Sequence, residues 1–199
     1  MQTADAETLL TEAQVLRTGH FRLSSGAHSD TYLQCALALQ DPSVALRLGR
    51  ALAERVVAAF GPGAVEVVAS PALGGILAGF AVAAALDARF VFAERGADRA
   101  FAFRRGQEVA PGERVLVVED VVTTGGSARE AAAVVRAAGG HVLGVAALVD
   151  RSVGIGSSAR PDGPPVSLLK VRASAWDPGT CPLCAAGRPL DTPGSRHTA

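Results

Sequence analysis

The stretch from Val115 to Ser127, reading Val-Leu-Val-Val-Glu-Asp-Val-Val-Thr-Thr-Gly-Gly-Ser, limits what this chain can fold into more than any other. Val115 to Val118 is a continuous run of β-branched and aliphatic residues, which suits a parallel strand covered on both faces. Glu119 and Asp120 then place two acids at the strand's carboxyl end, where open α/β sheets collect their ligands. Val121 and Val122 lead into Thr123, Thr124, Gly125, Gly126 and Ser127, small residues whose backbone N–H groups can close around an anion. A helix is expected from Ala128 to Ala138, stopped by Gly139-Gly140, so the loop ends at a helix N-terminus with partial positive charge. A phosphate fits that loop. The two acids would repel a phosphate but accept hydrogen bonds from ribose hydroxyls, so the segment suits a phosphorylated sugar held from both ends. Other phosphate motifs are missing: no G-x-x-x-x-G-K-[ST] occurs, and Gly154-Ile-Gly156 reads as a surface turn rather than a dinucleotide fingerprint.

The rest of the chain supplies the repeated strands and helices that such a segment needs. Glu7 to Arg17 reads as an amphipathic helix ending at Gly19, and residues 20–34 as a small hairpin around a Ser-Gly turn. Asp41-Pro42 predicts an N-cap and first helical position for a helix over Val44 to Ala59, closed by Gly61-Pro62-Gly63. Val65 to Ala69, Arg89 to Ala93 and Val142 to Val149 are further strands, and Ser70 to Gly75 is a loop opening an alanine-rich helix that runs to Leu86. Glu94 to Arg105 is polar and arginine-bearing, Gly154 to Pro165 is a loop, and everything after Trp176 is expected to be irregular and peripheral. Strands alternating with helices predict an α/β fold with a central, mostly parallel sheet and helices on both faces. With 199 residues, 49% of them hydrophobic, one well-buried domain is expected, divided into a helix and hood (1–40), an α/β core (41–175) and a tail (176–199).

Charge argues against several partner classes. The 19 basic and 19 acidic residues give zero net charge, so no overall field favours nucleic acid or a membrane surface. An acidic N-terminus followed by no long apolar span argues against a signal peptide or a membrane span, and a cytoplasmic location is the default. Cys35, Cys181 and Cys184 are too few and odd in number for a disulfide framework. Cys181-Pro-Leu-Cys184 has metal-knuckle spacing, but a zinc site needs two more ligands and the nearby histidine, His197, lies in a Pro/Gly-rich tail. No metal ligands are therefore assigned within the chain, two such pairs meeting across a dimer being left open. His20 and His28 are expected to face solvent, though both could touch substrate, and His141 to begin a strand.

The segment from Val115 to Ser127 resembles the signature of type I phosphoribosyltransferases, which use phosphoribosyl pyrophosphate (PRPP). Gly19-His-Phe-Arg-Leu-Ser-Ser-Gly-Ala-His-Ser-Asp-Thr-Tyr-Leu33 resembles the hood of the orotate enzymes in that group, with their Phe-x-Leu-x-Ser-Gly-x-x-Ser pattern. Val149-Asp-Arg-Ser152 matches the same family, and Trp176-Asp-Pro-Gly-Thr-Cys-Pro-Leu-Cys184 resembles the tail of a short subgroup. The resemblance implies transfer of phosphoribose from PRPP to orotate. PRPP would be held by Glu119, Asp120 and residues Val121, Val122, Thr123, Thr124, Gly125, Gly126 and Ser127. Its pyrophosphate would meet Leu73, Gly74 and Gly75. Orotate would meet Thr123 and Arg151, whose guanidinium suits a carboxylate, under a cover of Tyr32 and Leu33. Mg²⁺, carried by substrate oxygens rather than a protein cage, is expected.

The resemblance also implies a homodimer in which a mobile loop reaches the neighbouring subunit's site. Relatives carry lysines in that loop, in the hood and beside the pyrophosphate. This chain has one lysine, Lys170, with Ser24 and Gly74 at two of the apparent positions. Arg95 and Arg99 are the expected cationic substitutes in catalysis, ahead of Arg104 and Arg105. Two alternatives stand beside this reading: a purine or xanthine phosphoribosyltransferase, and a non-catalytic PRPP sensor on the same fold.

Overall fold

A computed structural model of the chain describes residues 3–193 apart from 14, 24, 152–162 and 173. Six strands form the central sheet: β3 (Val67–Pro71), β4 (Arg89–Arg95), β5 (Phe101–Phe103), β6 (Arg114–Val122), β7 (His141–Asp150) and β8 (Val166–Lys170). Their order is β5-β4-β3-β6-β7-β8, and every pairing is parallel except the hairpin of β4 with β5. The signature strand β6 thus lies inside the sheet, between β3 and β7, as its continuous apolar run requires.

Alternation along β6 divides the core. Leu116 and Val118 pack in one cluster with Leu48, Leu52 and Val56 of α3 (Pro42–Phe60) and Ala78 and Val82 of α4 (Gly75–Leu86). Val117 packs on the other face against Ala128, Ala131 and Ala132 of α5 (Gly126–Ala137). The start of α3 follows its sequence signals: Pro42 stands in the first turn, and the Asp41 carboxylate accepts from the backbone N–H of Ser43 at 2.8 Å and of Val44 at 3.3 Å. Short helix α2 (Ala36–Leu39) links this core to the hood, and its Leu39 joins the same apolar cluster.

Four features depart from expectation. The first helix, α1, spans Thr3–Glu12, and Leu16–Arg22 is strand β1, paired antiparallel with β2 (His28–Leu33). Pairing with β2 decides the conformation of residues whose local pattern fits a helix. Phe101–Phe103 form a strand inside the stretch read as polar and arginine-bearing, and Val166–Lys170 add an unforeseen edge strand. The segment after Trp176 is not peripheral. It contains a 3-10 turn (Pro178–Thr180) and a short helix, α6 (Pro182–Ala185), and its backbone is bonded to both hood strands.

Candidate active site

Two adjacent parallel strands, β3 and β6, each end in a short loop that opens a helix, and both loops therefore emerge at the same edge of the sheet. After β6 come Thr123 and Thr124, both exposed, and Gly125 with φ of 75°, which caps α5. That left-handed conformation favours glycine and turns the chain into the helix. Arg129, one turn into α5, donates to the Thr124 carbonyl at 3.0 Å and ties the loop to its helix. After β3 come Ala72, Leu73 and Gly74, with a cis peptide between Ala72 and Leu73, and α4 begins at Gly75. A Cβ on Gly74 would stand 2.9 Å from an Asp120 carboxylate oxygen, so the two loops touch at that pair.

The β6 alternation places Asp120 on the face of Leu116 and Val118, and Glu119 on the face of Val117. Asp120 is partly buried and accepts from the N–H of Val121 at 2.9 Å; Glu119 is buried. Burial, reinforced by the Asp120 charge, raises the Glu119 carboxyl to about 8. Asp120 is raised too, chiefly by burial. Among the described residues, no cationic side chain contributes to either shift. The charged forms of these desolvated acids are therefore favoured by a ligand that brings donors or positive charge.

The hood closes over this end. Cys35, just past β2, is buried and directs its thiol to the Asp120 carbonyl at 3.7 Å. Tyr32 stacks near Phe21, with ring centres 5.6 Å apart, and lies close enough to Asp120 for that charge to help raise its phenol after burial and the mixed effects of Arg17 and Asp191. Leu33 is half-buried and packs against the main core. Arg151 follows β7; its N–H donates to the Val122 carbonyl at 2.8 Å, which sets it beside Thr123. Its half-buried guanidinium donates to Ser29 Oγ of β2 at 2.7 Å, with Asp30 near enough to oppose the lowering that burial imposes on it. Ser29 is wholly buried, and its hydroxyl donates to the Ser174 carbonyl at 2.7 Å. The sequence reading missed Ser29 and Asp30. Ser29 is the last residue of the Phe-x-Leu-x-Ser-Gly-x-x-Ser pattern, which was the available signal.

This geometry has counterparts among known proteins. Residues 38–172 match the family described as the phosphoribosyl transferase domain. An orotate phosphoribosyltransferase of Caldanaerobacter subterraneus subsp. tengcongensis is 47% identical over 183 residues, 92% of each chain. The chain belongs to the orotate phosphoribosyltransferase family. The solved orotate phosphoribosyltransferase of Aeropyrum pernix superposes with a TM-score of 0.66 at 27% identity, covering 84% of this chain and 93% of that one. An adenine phosphoribosyltransferase from Rhodothermus marinus is similar as well, with a TM-score of 0.62 at 25% identity over 84% of this chain and 99% of that one. Backbone likeness alone therefore does not choose the base, and side chains must.

The arginines expected to replace the family's lysines are engaged in contacts of their own within the chain. Arg95, at the end of β4, forms a two-bond ion pair with Glu130 of α5 at 2.8 and 3.2 Å and covers the Phe101 ring at 4.0 Å. Arg99 is in the turn after β4, with φ of 64°, and its carbonyl accepts from Arg95 at 2.6 Å. Arg105 is paired with Glu94 at 3.0 Å. Among the described residues, no hydrogen bond or ion pair joins Arg95 or Arg99 to Glu119 or Asp120. Ser24 lies outside the described residues, as does His197. His20 and His28 are buried, at 4% exposure each, against the expectation that they face solvent. His141 does begin β7.

Proposed function

We infer that Arg151 selects the acceptor, and that the chain transfers the 5-phosphoribosyl group of PRPP to orotate, yielding orotidine 5'-monophosphate and pyrophosphate in pyrimidine biosynthesis. The observation that carries this reading is the half-buried Arg151 guanidinium, oriented by Ser29 and set beside exposed Thr123 at the strand end that also bears Glu119 and Asp120. A fixed guanidinium pairs with a planar carboxylate through two charge-assisted bonds, and orotate has such a group where purines have none.

The reaction forms a bond from a ring nitrogen of orotate to the anomeric carbon and breaks the bond from that carbon to pyrophosphate. Positive charge develops on the sugar as the leaving group departs. The loop Val121 to Ser127, ending at the α5 N-terminus, receives the 5'-phosphate; Leu73, Gly74 and Gly75 receive pyrophosphate at the α4 N-terminus. Asp120, the more open acid, and Glu119 hold the ribose hydroxyls and favour the cationic sugar. No cation among the described residues shifts either acid, and their oxygens are hard donors that suit Mg²⁺ held chiefly by PRPP. When bound, that ion offsets negative charge on the departing pyrophosphate. Tyr32 and Leu33 belong to the hood that covers the base.

Arg95 and Arg99 reach the pyrophosphate once an anion competes with Glu130, since exposed ion pairs are worth only about 0 to 1 kcal/mol. We place the chain in a homodimer whose hairpins serve the partner's site. The α4 flank supports this with Leu73, Leu77 and Phe80, exposed by 84%, 50% and 57% at helical spacing. We place the activity in the cytoplasm; no helix of the described residues is long and apolar enough to cross a membrane.

The test is the fall in orotate absorbance on adding PRPP and Mg²⁺, with adenine, guanine, xanthine and uracil as parallel acceptors. Turnover of orotate alone is expected. Turnover of a purine would overturn the acceptor, and PRPP binding without turnover would leave a sensor.

A further inference from the structure

Four side chains far apart in sequence converge beside the hood: His20 on β1, His28 on β2, Cys181 at the N-cap of α6 and Cys184 within it. Their nearest ligand atoms all lie within 4.8 Å of one another. His20 Nε2 is 3.1 Å from His28 Nδ1, 3.5 Å from Cys181 Sγ and 3.7 Å from Cys184 Sγ, and Cys184 Sγ is 3.2 Å from His28 Nδ1. A tetrahedral zinc site with Zn–N near 2.0 Å and Zn–S near 2.3 Å has edges of roughly 3.3 to 3.8 Å. Four of the six spacings, 3.1 to 3.7 Å, lie close to those edges, and the other two stay within 4.8 Å.

Hydrogen bonding alone explains this arrangement poorly. The other nitrogen of His20, Nδ1, lies 2.9 Å from the Arg188 carbonyl, which can only accept, so Nδ1 carries the proton and Nε2 presents a lone pair. One imidazole nitrogen and two thiol sulfurs crowd toward that single lone pair. One lone pair satisfies one donor, whereas a cation accepts all four ligands at once. The Arg188 carbonyl is also the outer partner that orients a metal-bound imidazole.

The backbone holds the set in place on both sides. Trp176 and His28 exchange two hydrogen bonds at 2.8 and 2.9 Å, while Asp191 donates to the His20 carbonyl and accepts from Arg22, both at 2.8 Å. The segment from Trp176 to Asp191 is therefore strapped to β2 at one end and β1 at the other. Between the straps, Pro178–Thr180 and α6 carry the two cysteines over the hairpin. His20, His28 and Cys181 are buried, and Cys184 lies at the rim. A β-bulge between Thr18 and Phe21 adjusts the register of β1 at His20.

We propose that His20, His28, Cys181 and Cys184 bind one structural Zn²⁺ within a single chain, clamping the C-terminal segment to the hood hairpin. With all four positions taken by protein ligands, the site is closed and structural rather than catalytic. The cysteine pair that sequence spacing left two ligands short is completed by residues more than 150 positions away, not by His197. His28 immediately precedes Ser29, which orients Arg151. Metal loss should therefore loosen the base-facing side of the pocket before the phosphate-facing side, a consequence that alone rests on the activity inferred above.

The experiment measures metal in the full-length protein purified without an affinity tag, by plasma mass spectrometry. It then follows Co²⁺ absorption after chelation and refilling. Expected are about one zinc per chain and, with Co²⁺, the intense visible bands and thiolate charge transfer of a tetrahedral thiolate site. Cys184→Ser and His28→Asn should lose most of the metal, while His141→Ala, exposed at the start of β7, should keep it. The Co²⁺ spectrum of the unmodified chain needs no variant to fold. Free thiol titration of both cysteines in excess Zn²⁺, a disulfide between them, or no Co²⁺ bands would overturn the proposal. Half a zinc per chain, shared between subunits, would overturn it too. Chelation that raises the KM for orotate while leaving PRPP affinity unchanged would support the positional consequence; equal loss of both would refute that consequence and leave the metal site standing.

Discussion

The phosphate side and the base side of the pocket are built in opposite ways. On the phosphate side, one stretch from Arg114 to Ala137 supplies strand, acids, loop and helix in chain order, and Gly74 from the neighbouring β3 loop stands against its Asp120. On the base side, Arg151 reaches Ser29 across 122 positions, Ser29 reaches Ser174 across 145, and Cys35 reaches Asp120 across 85. A contiguous site can tolerate a change in one residue without disturbing the rest. A site assembled from distant segments couples each residue to the docking of a whole element.

The largest effect should come from the contiguous side. Asp120→Asn keeps the shape of the strand end but removes the charge that favours a cationic sugar, so kcat/KM should fall about 100- to 1,000-fold. Its melting temperature should hold or rise, because a raised acid is neutralised. Steady-state kinetics with calorimetry checks both, and a variant of normal activity would remove Asp120 from the chemistry. Arg151→Ala should act differently. Losing a charged partner for a carboxylate costs about 2 kcal/mol or more, so KM for orotate should rise at least about 30-fold. PRPP binding, measured without orotate, should stay the same; a matching loss of PRPP affinity would show that the two sides are not separable.

The same contrast explains what could be read from the sequence. Strand β6, its acids and its glycine loop were legible because every part of their physics is local: apolar run, turn residues, helix start. Helix α3 was legible for the same reason, through Asp41 and Pro42. The hood's partners were not. Nothing in the order of residues says that Trp176 would pair with His28 or Asp191 with Phe21, and so the tail looked peripheral. His20 and His28 looked solvent-facing because a histidine's neighbours in sequence say little about a segment that folds back over it. Leu16 and Arg17 fitted a helical period, yet β2 offered them hydrogen bonds that a helix end could not.

The acids also give the comparison a pH dependence. Glu119 holds its proton to about pH 8 in the folded chain, whereas an unfolded glutamate releases it near 4.5. The folded state therefore binds more protons between those values, and stability falls as pH rises from 4.5 toward 8. The steepest slope is about 1.4 kcal/mol per pH unit for a single group. Thermal melts of the ligand-free protein should show this decline, and Glu119→Gln should flatten it. A Glu119→Gln melt that keeps the full slope would assign the dependence to other groups. Ser29→Ala probes the base side more gently. It leaves the Arg151 charge but frees its orientation, and a bond to a charged group is worth about 1.5 to 3 kcal/mol at most, less where water can replace it. A rise of about 3- to 10-fold in orotate KM with little change in kcat is expected.

The smallest effect concerns a residue outside both sides. Arg95 is bound to Glu130, and if it must leave that carboxylate to meet pyrophosphate, the ion pair opposes the motion. Both partners are substantially exposed, at 37% and 48%, so the pair contributes only about 0 to 1 kcal/mol. Glu130→Ala should then lower the KM for PRPP up to about fivefold and reduce stability slightly, because the Phe101 ring still holds the guanidinium from its other face. Arg95→Ala should raise the KM for PRPP in the same assay. A double variant that behaves like Arg95→Ala alone would show that Glu130 acts only through Arg95. Equal and opposite effects that simply add would show that Glu130 influences the phosphate loop by itself, as a negative charge one turn from the α5 N-terminus, and Arg95 would lose its claim to the missing lysine's role.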